Sequence, residues 1–199
     1  MAICPSNPEL YADNSTRLCV PNCPFNQSTF ADSLTRRCVL TCPYASYTYA
    51  DNITRTCNPV CYHNDTYKSY ADNSTLQCVR VCPSIPDYYA DSSTWTCVPI
   101  CPNATLPRTY TDYTSRECVP ICNWSTYYYS DNTTGDCLSV CPGGLFADNY
   151  SQTCVQRCYG ENELYNFGFK GDKTCKSLCN AGFFAQNSTR LCVSFCPLS

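Results

Sequence analysis

Tyr11-Ala12-Asp13-Asn14-Ser15-Thr16-Arg17-Leu18-Cys19-Val20-Pro21-Asn22-Cys23-Pro24 returns in recognisable form about every 19 residues to the end of the chain. Counting back from the second cysteine of each unit, the eighth residue is aromatic in all ten: Tyr11, Phe30, Tyr49, Tyr70, Tyr89, Tyr110, Tyr129, Phe146, Phe167 and Phe184. The seventh is Ala, Gly, Ser or Thr. The sixth is Asp in eight units, from Asp13 and Asp32 through to Asp148. Self-similarity at a fixed short period marks an array, because one such unit is too small to bury a face alone and must stack on its neighbours. The units run 4–22, 23–41, 42–60, 61–81, 82–100, 101–121, 122–140, 141–157, 158–178 and 179–195, and residues 196–199 open another. They are called modules 1 to 10 below.

Composition explains why the period is short. Leu, Ile, Val and Phe total 35 of 199 residues, too few for a conventional globular interior. Twenty-one cysteines take their place, the signature of a disulfide scaffold in an oxidising, extracellular compartment. A net charge of −3 gives no electrostatic basis for binding nucleic acid or an anionic membrane surface. No run of apolar residues is long enough to span a bilayer, and Met1-Ala2-Ile3 leads straight into Cys4 without a signal sequence. The pattern begins at Cys4-Pro5 and stops at Cys196-Pro197 in mid-unit, as expected of a segment of a longer secreted precursor.

The cysteines alternate between a constant C-x3-C gap and a long gap of 13, 15 or 17 positions. Steps of two are what a two-stranded hairpin tolerates, since every side chain keeps its face. The aromatic-small-Asp triplet therefore reads as one strand, the polar Asn-Ser-Thr run as the turn, and the residues into the second Cys as the return strand. With Asp13 to Thr16 as the loop, Tyr11 lies opposite Leu18 and shares a face with Val20, while Ala12 and Cys19 share the other. That puts an aromatic and a Val against the next module, where the small core is expected. Helices have no place in this pattern.

Pairing has to repeat along the array. Closing each long gap gives Cys4–Cys19, Cys23–Cys38, Cys42–Cys57, Cys61–Cys78, Cys82–Cys97, Cys101–Cys118, Cys122–Cys137, Cys141–Cys154, Cys158–Cys175 and Cys179–Cys192, and leaves Cys196 for a following unit. The alternative, bridging each short gap, needs a tight turn, because an extended C-x3-C holds its sulfurs too far apart. One such bridge contributes about 3 kcal/mol in the chain-entropy model, a small part of the cost of ordering a module. Hairpin hydrogen bonds and packing of the 17 tyrosines between modules must supply the remainder.

Cys19-Val20-Pro21-Asn22-Cys23-Pro24, with Phe30 to Cys38, resembles the single-disulfide modules of furin-like, growth-factor-receptor cysteine-rich regions. It is more similar still to the cysteine-rich tandem repeats of protist cell-surface proteins, and the likeness extends over all ten units. The resemblance implies a rod of stacked extracellular modules, each closed by its own bridge. The chain lacks the interspersed two-disulfide modules of the receptors. The expected fold is thus a small disulfide-rich one, mostly irregular with short β-hairpins, in a linear, solenoid-like stack of about ten one-disulfide modules.

Ten N-x-S/T sequons occur, at Asn14, Asn26, Asn52, Asn64, Asn73, Asn103, Asn123, Asn132, Asn149 and Asn187. Six of them, Asn14, Asn52, Asn73, Asn132, Asn149 and Asn187, share one phase, five residues before the second Cys, at the expected turn tip. A tip lets a bulky sugar project without disturbing strand pairing. Asn-Ser-Thr is also good turn chemistry, but that does not account for the four sequons out of phase.

Catalytic and metal chemistry is poorly represented. His63 is the only histidine, and no partner set recurs around it. Structural zinc favours C-x2-C or C-x4-C knuckles rather than a uniform C-x3-C, and one Asp per module is far short of a calcium shell. The Asp is expected to cap its own turn. No cofactor and no enzymatic activity are expected. Module 9 departs from the rest: it loses the Asp-Asn turn and the sequon, and gains Glu161, Glu163, Lys170, Asp172 and Lys173.

Two functions follow as expectations. The first is a structural, N-glycosylated extracellular rod or filament, carrying covalent glycans and associating end to end or continuing in a longer repeat chain. The second is a cysteine-rich stalk or ligand-binding ectodomain of a receptor or surface antigen, with Cys158 to Cys175 as its recognition element.

Overall fold

The triplet that begins at the aromatic and the triplet centred on the second Cys pair as antiparallel strands in every module. In the first, β1 (Tyr11–Asp13) runs against β2 (Leu18–Val20). In the second, β3 (Phe30–Asp32) runs against β4 (Arg37–Val39). The same three-residue strands recur to β19 (Phe184–Gln186) and β20 (Leu191–Val193). The computed structural model describes residues 4–43, 47–64, 66–103, 107–123, 129–159 and 166–196. Among these, the regular structure is all β apart from one 3₁₀ turn at Phe25–Gln27, and no helix is long and apolar enough to cross a membrane.

The register differs by two residues from the one expected. Tyr11 faces Val20, Ala12 faces Cys19 and Asp13 faces Leu18. The loop is Asn14 to Arg17, with Asp13 in the strand rather than at the turn. Arg17 N–H donates to the Asp13 carbonyl at 2.8 Å, and Arg17 itself sits at φ 58°, in the left-handed region. A left-handed residue reverses the chain one position later than a turn centred on Asn-Ser would. Because the shift is even, the face assignment survives: Tyr11 stays with Val20, and Ala12 with Cys19.

Length changes fall elsewhere than in the hairpin. The aromatic lies eight positions before the second Cys in every module, whereas the distance from the first Cys to the aromatic is five, seven or nine. That preceding loop is closed by its own antiparallel contact. The carbonyl after the first Cys accepts from the N–H before the aromatic, as in Pro5 with Leu10, Pro83 with Tyr88, Pro102 with Thr109 and Pro142 with Leu145, at 3.0–3.2 Å. Even steps leave this contact in phase, so the parity argument holds for the loop.

The chain divides into two compact units, Met1–Pro99 and Ile100–Ser199, with the hairpins of modules 1 to 5 in the first and 6 to 10 in the second. Within each, successive hairpins are joined by a parallel bridge from the first strand of one to the second strand of the next: Ala12 with Arg37, Ala31 with Thr56, and, in the second unit, Ser130 with Thr153 and Ala147 with Thr174. The hydrogen bond beneath this bridge repeats closely. The small residue's N–H donates to the carbonyl of the next module's left-handed residue, as in Ala12 to Arg36 at 2.9 Å, Ala71 to Trp95 at 2.8 Å and Gly168 to Arg190 at 2.8 Å.

The core is a series of thin layers. Tyr11 and Val20 pack on Ala31 and the Cys23–Cys38 bridge, and Phe30 and Val39 on Ala50 and Cys42–Cys57. Tyr70 and Val79 pack on Ala90 and Cys82–Cys97, and Tyr110 and Val119 on Cys122–Cys137. This is the aromatic-plus-Val contact that the alternation implies. It also explains the small seventh residue, which lies directly under a ring. A Cβ added to Gly168 would come within 2.7 Å of Phe146 Cε1 and Cζ.

Candidate functional site

Ten disulfides join the two cysteines of each module, from Cys4–Cys19 and Cys23–Cys38 through to Cys158–Cys175 and Cys179–Cys192, with Cα separations of 5.4–5.7 Å. Cys196 is exposed and unpaired. Ten bridges in one chain point to an oxidising compartment. Cys23–Cys38, Cys42–Cys57, Cys82–Cys97 and Cys122–Cys137 are each both a cross-link and the apolar floor on which the preceding module's aromatic rests.

The recurring aspartates are buried, at 0–7% exposure from Asp13 to Asp148. Burial of an unpaired carboxylate would be prohibitive, so each must be satisfied by its own turn. Asp13 accepts from Ser15 N–H at 3.1 Å, from Ser15 Oγ at 2.9 and 3.0 Å and from Thr16 Oγ1 at 2.7 Å. Asp72 accepts from Ser74 N–H, Ser74 Oγ and Thr75 Oγ1 at 2.6–2.9 Å. The Ser and Thr of the sequons thus also serve as donors to the Asp. At Asp13, the Thr16 hydroxyl leads the bonds that hold the carboxyl below its ordinary pKa against burial. At Asp72, burial pushes upward, but the bonds from Thr75 and Ser74 together outweigh it, and the pKa is again lowered.

A lowered carboxyl pKa means that the folded state binds fewer protons than the unfolded chain. Its stabilisation is complete above the unfolded value of about 3.9 and is lost as pH falls towards the folded value. Acid titration followed by circular dichroism is therefore expected to show loss of structure below about pH 4. Asp72→Ala, which removes the charged acceptor shared by one N–H and two hydroxyls of the turn, is expected to cost about 1–3 kcal/mol at neutral pH and to flatten the acid limb. An Asp72→Ala acid limb identical to the parent's would reject this role. Modules 9 and 10 lack the Asp. Gln186 takes its place in module 10, accepting from Thr189 at 2.7 Å, and Phe169 takes it in module 9.

The left-handed residue of the turn carries a function that the sequence reading missed. Its side chain folds back over the aromatic of the preceding module. Arg36 lies over Tyr11 at 6.0 Å, Arg55 over Phe30 at 4.6 Å and Arg190 over Phe167 at 5.9 Å, and Trp95 stacks on Tyr70 at 5.6 Å. Cation–π or stacking contact thus closes the outer edge of the layer. The signal was present, since Arg stands two positions before the second Cys at 17, 36, 55, 116 and 190. His63 is absorbed into the same closure: its ring stacks on Trp95 at 3.7 Å, and Nδ1 lies 2.9 Å from the Cys61 carbonyl. Among the described residues, no group of three or more metal-ligating side chains converges.

Of the sequon asparagines, Asn14, Asn26, Asn52, Asn64, Asn73, Asn123, Asn132, Asn149 and Asn187 are exposed, and Asn103 is half-buried. At the tips, the tyrosine of the module before donates to the Asn Oδ1: Tyr49 to Asn73 at 2.5 Å, Tyr110 to Asn132 at 2.6 Å and Tyr129 to Asn149 at 2.5 Å. This fixes the carbonyl oxygen and turns Nδ2, the nitrogen to which an N-glycan attaches, away from that contact. Where Ser stands in place of the tip Asn, Tyr11 and Tyr70 meet Ser33 and Ser92 at 3.4 and 3.3 Å.

Lys170 and Lys173 of module 9 help to line a groove of about 680 Å³ across modules 8 to 10. Arg157, Lys170 and Lys173 rim it, Leu145, Phe146 and Leu191 line its apolar part, and Ser188 and Thr189 of the Asn187 sequon stand at one side. Glu161 and Glu163 fall outside the described residues. Asp172 turns to Lys176 at 2.6 Å and is not among the groove's lining residues.

Compared with models of protein families, with curated proteins and with solved structures, the chain matches none of them. Ten tandem one-disulfide hairpin modules are the level at which the likeness to cysteine-rich repeats holds, and no family is identified.

Proposed function

We propose that this protein is an extracellular structural element: a sugar-coated rod or filament at or near a cell surface, built by stacking modules rather than by enclosing a core. The observation that carries this is the junction, in which one layer of aromatic, Val, small residue and disulfide recurs with the same inter-module hydrogen bond. A ligand site needs one locally distinctive surface, and near-identical junctions spend their chemistry on stacking.

Non-reducing peptide mapping with and without glycosidase, together with negative-stain imaging of the secreted protein, tests the reading. Within-module bridges, glycans at the tip asparagines and elongated particles that lengthen with concentration are expected. Free thiols in most modules, or bare asparagines throughout, would remove it. The groove of module 9 favours a second reading, a stalk or ectodomain that binds an acidic ligand through Arg157, Lys170 and Lys173. Salt-sensitive retention of dextran sulfate, lost on Lys170→Glu with Lys173→Glu, would favour that alternative. Equal retention by parent and variant would dismiss it.

A further inference from the structure

The ten sequons are not equivalent, and the amide of one of them is packed into the junction with the neighbouring module. At two junctions the side chain two residues after the first Cys of one module packs on the left-handed turn residue of the next. Phe25 packs on Arg55, with the guanidinium 5.0 Å from the ring centre. His63 packs on Trp95, with the rings stacked at 3.7 Å. Asn103 stands at the same position in module 6, and its partner in module 7 is Gly135.

Gly135 is the only one of the ten turn residues without a side chain. Its φ is +78°, it is buried, and its carbonyl accepts the inter-module bond from Thr111 at 2.8 Å. No side chain therefore folds back from it over Tyr110. The Asn103 side chain occupies the space instead. A Cβ built on Gly135 would overlap Asn103 Nδ2, and would lie 3.0 Å from Cγ and 3.4 Å from Cβ. The nitrogen that would carry a sugar is therefore pressed against the backbone of the neighbouring module. The contrast lies in the same module pair: Asn132 is exposed, and its Oδ1 is held by Tyr110 so that Nδ2 is free of that contact.

We propose that Asn103 is a junction residue whose sequon stays unmodified in the folded protein, because a glycan on Nδ2 and the packed contact with Gly135 exclude each other. This rests on the reading above that the tip sequons are glycosylated. Only sequon geometry marks Asn103 as an acceptor, whereas the fold uses its amide as the filler that a missing side chain requires.

The test is site-by-site occupancy in protein secreted from a glycosylating host, read by glycosidase release in heavy-oxygen water and mass spectrometry. Asn132 converted and Asn103 unconverted is the expected result. Conversion of both to similar extents overturns the proposal and leaves the glycosylation reading intact. Ten unconverted asparagines overturn that reading and this proposal with it. Gly135→Arg restores the residue type found at this position in modules 1, 2, 3, 6 and 10, and expels Asn103 from the junction. Occupancy at Asn103 is then expected to change from absent to predominant, and an Asn103 still bare in a secreted Gly135→Arg protein would overturn the packing explanation. Thr105→Ala, which abolishes the sequon without touching Asn103, guards against misfolding of that variant. It is expected to leave the intact glycoprotein mass unchanged except for the substitution, and loss of one glycan mass would overturn the proposal.

Discussion

Tyr70→Ala is expected to destabilise the first compact unit by about 3–5 kcal/mol, the range for deleting a buried aromatic ring. Tyr70 is 1% exposed and is gripped on every side: Val79 beside it, Ala90 and the Cys82–Cys97 bridge beneath it, and Trp95 stacked at its edge. None of these can collapse into the gap, since the bridge and the hairpins on either side fix their positions. In an array held together by nearest-neighbour contacts, one lost layer weakens a single junction, and the unit is expected to open there first. Hydrogen exchange should show lost protection on the strands Tyr70–Asp72 and Thr96–Val98, while the strands of modules 1 and 2 keep theirs. Leu34→Ala, at a side chain 72% exposed, is the control, expected to stay within about 0.5 kcal/mol. Guanidinium titration without reductant measures both. A Tyr70→Ala cost below that of Leu34→Ala would mean that the layers do not constitute the core.

Removing the Cys82–Cys97 bridge by substituting both cysteines with serine is expected to cost about 2–5 kcal/mol. The 15-residue separation accounts for about 3 kcal/mol through the unfolded chain. The remainder comes from the folded side, because the sulfurs are the surface on which Tyr70 rests. The two effects should therefore couple. Once the floor is gone the ring has less to lose, and the triple variant is expected to fall short of the summed costs by about 0.5–3 kcal/mol. Strict additivity would show that the bridge acts only as a cross-link, with no part in packing.

The array, the module length, the one-disulfide hairpin and the face of each side chain were legible because they depend on period and parity, which any reader of residue types can count. The register was not. It turns on Arg17 adopting a left-handed backbone, which is uncommon for a residue with a Cβ and has no composition signal beyond the recurrence of Arg at that place. The buried Asp was misplaced for the same reason. Reading it as a turn residue captured its bonding to Ser15 and Thr16 but assigned it to the loop, whereas the bonds let a carboxylate sit inside a strand. The closure of Arg36 over Tyr11, and the use of Asn103 to fill the space above Gly135, join positions more than 20 residues apart. Period alone cannot disclose which neighbour a side chain leans towards.

The loop between the first cysteine and the aromatic absorbs five, seven or nine positions while the hairpin after it keeps one length. It is anchored at one end by a disulfide and at the other by the contact that closes on Pro5, Pro83 or Pro102. Such an architecture is a ready display frame: foreign peptides of matching parity could be grafted into such a loop, insulated from the neighbouring modules by its own covalent clamp.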